Sequence, residues 1–200
     1  IRSQYTATDC LVEYLRKNTD ITVVYPKKEL LVYKAKYPDM ILYHKLDTHW
    51  NSIGAYIGAQ CLADALGIEM ASLSELSVNQ IPSSKGDLTD MLNIEISDGD
   101  IDYEIAGIDE LYTETLKWEW DTEFIYHTPE ADARTLVVCR DSFSNALAPS
   151  LATQFENSFW IHNWVFDQQQ IFDYGAEVFV LEVVERYARS LGNFRIIEDF

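Results

Sequence analysis

The strongest constraint on the fold lies in the last third of the chain, where apolar segments of strand length alternate with helical ones. "TLVVC" (135–139) is short, continuous and apolar, and "SFSNALAPSLATQF" after it reads as a helix despite Pro149. "SFWIH" (158–162) reads as the next strand, "DQQQIFDYG" as a helix and "AEVFVLEV" (176–183) as a further strand. Strands this apolar are covered on both faces, and strands separated by helices pair in parallel. The expected fold is α/β: a three-layer α/β/α sandwich around a mostly parallel sheet of about four strands. At 200 residues, 48% of them hydrophobic, the chain has enough core for a single domain without disulfides or metal, and disorder is excluded for most of it.

Upstream, Thr6 or Thr8 is placed to cap a helix running to about Lys17, and "DITVVYP" reads as a buried strand ended by Pro26. "KKELLVYKAKYP" gives a short helix, and "MILYHK" a second extended run leading into "LDTHWN". The clearest helix spans 51–66, with Ile53, Ile57, Cys61 and Leu62 on one face and Gly67 at the position that follows a helix end. Its small residues Gly54, Ala55, Gly58 and Ala59 permit close approach of another element. Cys10, Cys61 and Cys139 have no CxxC spacing and read as buried free thiols, with one disulfide still open.

Residues 68–132 read differently, as short runs broken by turn signals at "PSSKG", "SDGD" and "AGIDE", with strands expected at about 102–106 and 123–127. They form a peripheral excursion within a single domain spanning 1–200. The charge is concentrated there. The chain carries 15 Lys and Arg against 33 Asp and Glu, and residues 87–132 hold fifteen of those acids with a single Lys. Such a field repels phosphate backbones, so nucleic acid is excluded as a partner. The acidic lobe reads as a solvated face, or as a wall beside a pocket that favours a neutral or basic glycan. No apolar run is long enough to span a bilayer.

Two segments can carry chemistry. In "KLDTHWN" (45–51), Asp47 and His49 lie two apart, on one side of an extended backbone. A carboxylate that accepts the imidazole Nδ1–H leaves Nε2 as a base. In "VVCRDSFSN" (137–145) a buried strand gives way to a helix, and Ser142 falls at the junction, beside free amides that stabilise an oxyanion. Each has a plainer reading: a solvated Asp–His pair, a Ser that merely caps a helix, with Asp141 as a rival cap, and a Trp50 that only packs. His44, Asp47 and His49 offer three metal ligands, but HEXXH is absent, and there is no Walker A or G-x-G-x-x-G sequence. Neither a metal nor another cofactor is expected.

At these segments the chain resembles the alginate O-acetyltransferase group of AlgJ/AlgX-like, DHHW-type proteins within the SGNH-hydrolase superfamily. The resemblance is carried by "YHKLDTHWNSIGAY", "SSKGDLTDML", "VVCRDSFSNALAPSLATQF" and "GAEVFVLEVVERY", which have the group's order and spacing. It implies that Asp47 orients His49, that His49 activates Ser142, and that an acyl group passes through a serine ester. It also implies an O-acetyltransferase or O-acetylesterase acting on acetylated carbohydrate or a sugar acceptor. An extracellular or cell-envelope location and an envelope-associated acetyl-donor protein as partner are implied too. The alternative is a non-catalytic carbohydrate-binding or scaffold protein on the same fold.

Members of the group begin upstream with another strand, so an N-terminally truncated form is expected. Where many relatives carry an Ile-Asp-x-Arg-like segment, this chain has "WIHNWVF" (160–166), which leaves Asn145 and Asn163 as candidates for the second oxyanion donor. Arg140 places a cation beside the serine, and Tyr43, Trp50 and Trp164 are candidate platforms for a sugar ring.

Overall fold

The computed structural model describes residues 5–83, 86–96, 99–107 and 113–193. The turns expected at "PSSKG", "SDGD" and "AGIDE" fall partly outside them. The first helix, α1 (Ala7–Asn18), starts where its cap requires: Thr6 and Asp9 form a reciprocal capping box. Helix α2 (Lys27–Lys36) follows directly on Pro26. The two extended runs expected around them are not sheet strands. Residues 20–25 pair with nothing, and 40–49 contribute only one bridge, between Tyr43 and Trp50. In the second run Leu42 and Met40 join a cluster with Leu30 and Ile53 of the helices; in the first, Ile21 is exposed.

Helix α3 (Ser52–Ala65) is capped by the Asn51 side chain on the Gly54 N–H and ends at Gly67, whose φ of +73° a residue with a Cβ rarely adopts. It is buried on two faces rather than one. Ala55, Ala59 and Ala63 face a core shared with Leu136, Val138 and Leu147, whereas Ile53, Tyr56 and Ile57 face a second cluster with Tyr103 and Ile105. Its glycines are contact points: a Cβ on Gly54 would sit 2.3 Å from the Leu42 carbonyl oxygen, and one on Gly58 2.9 Å from the Trp50 ring.

The acidic stretch is built into the molecule rather than set apart. Strands β1 (Ser77–Ser83) and β2 (Asp100–Ala106) form an antiparallel pair, with the short helix α4 (Asp87–Leu92) between them. Strands β3 (Glu114–Glu119) and β4 (Glu123–His127) enter the main sheet. That sheet is completed by β5 (Asp132–Arg140), β6 (Phe155–His162) and β7 (Val178–Leu181), in the order β3-β4-β6-β5-β7. Only β6-β5-β7 are parallel; β3-β4 and β4-β6 are antiparallel. The sheet is therefore mixed, and the mostly parallel one expected from the last third of the sequence is corrected. The reason is local: only three residues, 120–122, join β3 to β4, and a hairpin of two antiparallel strands needs no helix between them.

Helix α5 (Ser144–Ala152) follows β5 and packs on α3, and α6 (Gln169–Asp173) lies between β6 and β7. From β5 the chain moves to β6 on one side and returns to β7 on the other. The C-terminal end of β5 is thus a topological switch point, where α/β sheets open a crevice. A 3-10 segment (Glu185–Asn193) closes the described chain. Cys10 is exposed, Cys61 half-buried and Cys139 buried, all as free thiols. Among the described residues no helix is long and apolar enough to cross a membrane.

Gly58→Ala tests the α3 contact. Alanine favours a helix by about 1 kcal/mol over glycine, yet here its methyl must displace a Trp50 ring that is fixed at both ends. The expected outcome in denaturant unfolding is a net loss of about 1–2 kcal/mol, with an altered Trp environment in near-UV circular dichroism.

Candidate functional site

Ser142 leaves the C-terminal end of β5 in a tight turn before α5. Neither Ser142 nor Asp141 caps α5, whose cap position is Phe143 without a side-chain bond; Asp141 closes the turn before it. One of its carboxylate oxygens accepts the Phe143 N–H at 2.9 Å, and the other accepts the Val184 N–H at 2.7 Å. The Ser142 hydroxyl is released from local bonding and meets His49 Nε2 at 2.7 Å. His49 Nδ1 in turn faces Asp47 Oδ1 at 2.5 Å. A carboxylate only accepts, so the proton sits on Nδ1 and Nε2 is left to accept from the serine.

The sequence places Asp47 and His49 on one side of an extended strand; the structure joins them differently. Residues 45–49 are a series of bends, and Asp47 Oδ1 also accepts the His49 backbone N–H at 2.9 Å, a turn closed by the aspartate itself. Burial opposes ionisation of Asp47. The hydrogen bonds from the His49 ring and from the Asp87 and His49 N–H groups outweigh it and hold the carboxyl below its ordinary range.

This loop is fastened by the acidic stretch. Asp100 accepts the Leu46 N–H at 2.7 Å, Asp87 accepts the Thr48 N–H at 2.8 Å and its hydroxyl at 2.5 Å, and Asp102 accepts the Ser52 N–H at 2.9 Å. Asp87 N–H returns a bond to Asp47 Oδ2 at 3.0 Å. Helix α4 lies so close that a Cβ on Gly86 would stand 2.2 Å from the Leu46 carbonyl oxygen and 2.5 Å from Asp47 Cβ. None of these contacts was legible from spacing; the "SSKGDLTDML" segment was the only signal that could have pointed to Asp87.

Trp50 ties the two halves together, since its Nε1–H donates to the Phe143 carbonyl at 2.9 Å. The Phe143 ring lies 4.8 Å from that of His49 and 5.1 Å beneath the Arg186 guanidinium. Arg140 is fully buried, and burial pushes its pKa down to about 10. It donates to Asn145 Oδ1 at 3.0 Å and to the Trp120 carbonyl at 2.9 Å, and it stacks on Phe124. A guanidinium cannot accept, so the Asn145 oxygen must face it and the amide nitrogen faces away. The Ser142 N–H is left without an acceptor among the described residues.

A cleft of about 800 Å³ opens at Ser142 and His49. Trp50 and Asn145 line it. Tyr43, Arg140, Asn163 and Trp164 do not: Tyr43 and Trp164 are exposed elsewhere, Asn163 lies at the end of β6 with its N–H on the Arg140 carbonyl, and Trp164 stacks on His162. Donor atoms of Asp47, His49 and Asp87 lie within 4.8 Å of one another and are the set that a cation would find. A cation there would compete with the Nδ1 proton that Asp47 already holds. His44, expected as a third ligand, stands instead 3.9 Å from both Asp100 and Asp102.

With the site described, comparison with known proteins adds a fold. No family model matches the sequence, and no curated protein matches it either. Solved structures do. A DHHW family protein from Eubacterium siraeum is similar over 90% of this chain and 72% of its own, with TM-score 0.68 and 16% identity. PatB1 of Bacillus cereus covers 90% and 75%, with TM-score 0.67 and 17% identity. The O-acetyltransferase domain of Pseudomonas putida AlgJ covers 94% and 68%, with TM-score 0.54 and 16% identity. The chain has their fold. The likeness reaches across 90% or more of it.

Beneath Ser142 two further carboxylates meet. Glu182 accepts the Asp141 N–H at 2.8 Å and the Ser144 hydroxyl at 3.1 Å. Burial, with the Asp141 carboxylate beside it, raises the Glu182 pKa well above the ordinary carboxyl range. The folded state therefore holds a proton that the unfolded state releases above about pH 4.3, and stability falls as pH rises through that window. Glu182→Gln keeps the acceptor and cannot ionise. Its unfolding free energy should be less dependent on pH between about 5 and 8 than that of the wild type. Parallel slopes in denaturant titrations across that range would sink the assignment.

Proposed function

We propose that this chain is a serine-dependent O-acetyltransferase or O-acetylesterase of the AlgJ/AlgX-like, SGNH-type group, acting on O-acetyl groups of carbohydrate. The observation that carries the reading is the unbroken line Asp47–His49–Ser142 at the mouth of a cleft. Its support from the comparisons is the fold shared with an O-acetyltransferase domain, and PatB1 has also been solved with a sulfonyl adduct.

In the proposed reaction His49 Nε2 takes the Ser142 proton as Oγ attacks the ester carbonyl, and Asp47 stabilises the imidazolium that forms. The oxyanion is held by the Ser142 N–H and by the Asn145 amide, which Arg140 turns toward the cleft. His49 then protonates the departing alkoxide, leaving an acetyl-serine. Water releases acetate in an esterase; a sugar hydroxyl, deprotonated by the same imidazole, takes the acetyl group in a transferase. Asp87, Asp100 and Asp102 act on the loop rather than on the substrate, holding Asp47 and His49 in register with Ser142. An extracellular or envelope setting, with a donor protein supplying acetyl groups, is part of this reading.

Hydrolysis of 4-nitrophenyl acetate tests it. Ser142→Ala and His49→Ala should each lower kcat by about 10³-fold or more, and Asn145→Ala by about 10²-fold with little change in KM. A sulfonyl fluoride should label the wild type at Ser142, seen by peptide mass spectrometry, and leave Ser142→Ala unlabelled. Equal rates in all four proteins would overturn the proposal and favour a binding protein on the same fold.

A further inference from the structure

The cleft continues well past the reacting atoms, and its far part has a chemistry of its own. It runs along α5 to Ser150 and Thr153 and is walled by Thr113, Thr115 and Tyr126 of the main sheet's edge and by Asp102 of β2. Five of these six residues carry hydroxyls, which both donate and accept. That of Thr153 already donates to the Ser150 carbonyl and that of Thr113 is paired with Thr128, which leaves Thr115, Ser150 and Tyr126. Among the described residues no Lys or Arg lines the cleft. Arg140 stays behind the wall, its donors committed to Asn145 and to the Trp120 and Trp160 carbonyls, and Arg186 lies over Phe143 at the near end, by His49 rather than by the far part.

Tyr126 is the unusual member. It is only 4% exposed, yet its buried hydroxyl has no hydrogen-bond partner among the described residues. Trp118 meets its ring edge-on, so the ring would hold its position as well without the oxygen. A buried unmet hydroxyl is a standing cost to the folded protein, and such groups call for a missing partner. Burial also raises its pKa, which keeps it a protonated donor.

We infer that the far cleft is a subsite for an uncharged polyhydroxylated chain, a neutral oligosaccharide, with Tyr126 as the residue that selects it. The inference rests on the proposed function for the meaning of the near end, and names the acceptor or acetylated chain used there. A cleft of about 800 Å³ lies in the range of sites that enclose a ligand of several rings. Hydroxyls of the sugar replace the water they lose with Thr, Ser and Tyr hydroxyls of the wall, and one of them meets Tyr126. In the far part an anionic chain would bring carboxylates beside Asp102 with no Lys or Arg among the described lining residues to receive them, and would lose its hydration without compensation.

The test reads binding alone, on a chain that cannot turn over. Ser142→Ala is titrated calorimetrically with cellotetraose, with chitotetraose and with tetragalacturonate at millimolar concentration. At least one of the neutral pair should bind, with the galacturonate about tenfold weaker or worse, and Tyr126→Phe added to Ser142→Ala should weaken neutral binding about tenfold. Thr115→Val, at an exposed position of β3, gives a second reading with a several-fold loss. The inference is overturned if neither neutral chain binds, if the galacturonate binds as well as they do, or if Tyr126→Phe leaves affinity unchanged. Ester hydrolysis stays intact in the wild type if only this subsite is wrong; if the esterase fails, sugar binding still reports on the cleft.

Discussion

The site depends on a loop of nine residues that has almost no secondary structure of its own. Between His44 and Ser52 the backbone makes few bonds to itself, and its exposed N–H groups are taken up by carboxylates from a part of the chain 39 to 54 residues away. Asp100, Asp87 and Asp102 fix Leu46, Thr48 and Ser52 in turn, so the loop is gripped at three points, two of them flanking Asp47 and His49. Each bond is charge-assisted and accordingly stronger than a neutral one. Without the three acids, Asp47 would still close its own turn on His49, but only the Trp50 bond to Phe143 and a few backbone bonds would be left to aim the pair at Ser142.

That grip changes the meaning of the charge. The acidity of residues 87–132 reads from composition as a solvated face or a lobe. In the structure it divides into acids that fasten the Asp47–His49 loop, one of which, Asp102, also faces the cleft, and acids that edge the main sheet. The strands and turns that carried apolar signal were legible in the sequence: β5, β6 and β7, the helix after Ser142, and α3 to within a residue. β1 and β3 were not, because their side chains are mostly exposed and polar and leave no apolar period to read. "DITVVYP" and "MILYHK" failed in the opposite sense, being apolar enough for strands yet outside the sheets: Met40, Ile41 and Leu42 pack against helices, and Ile21 is exposed.

The candidate residues divide along the same line. Asp47, His49 and Ser142 stood out because three chemical types fall at two short motifs, and the structure brings them within hydrogen-bond distance across 93 residues. Asn145 could only be guessed among asparagines, since what singles it out is the Arg140 fork behind it. Arg140 itself reads from sequence as a surface cation beside the serine; it is a buried strut, stacked on Phe124. Tyr126 left no sequence signal, as an aromatic in a strand is ordinary and only its unmet hydroxyl sets it apart.

The order of the pieces along the chain has a consequence for how the protein assembles. The Asp–His loop comes first, its three anchors next, and the serine last, so the loop cannot be aimed until residues 86–102 have come back to it. Closing such intervals costs entropy before any bond forms, and contacts so far apart in sequence are made late. A chain emerging from the ribosome therefore carries Asp47 and His49 apart from Ser142 through most of its folding. The serine hydroxyl and the imidazole meet only when the sheet, the β1–β2 pair and α3 are already in place.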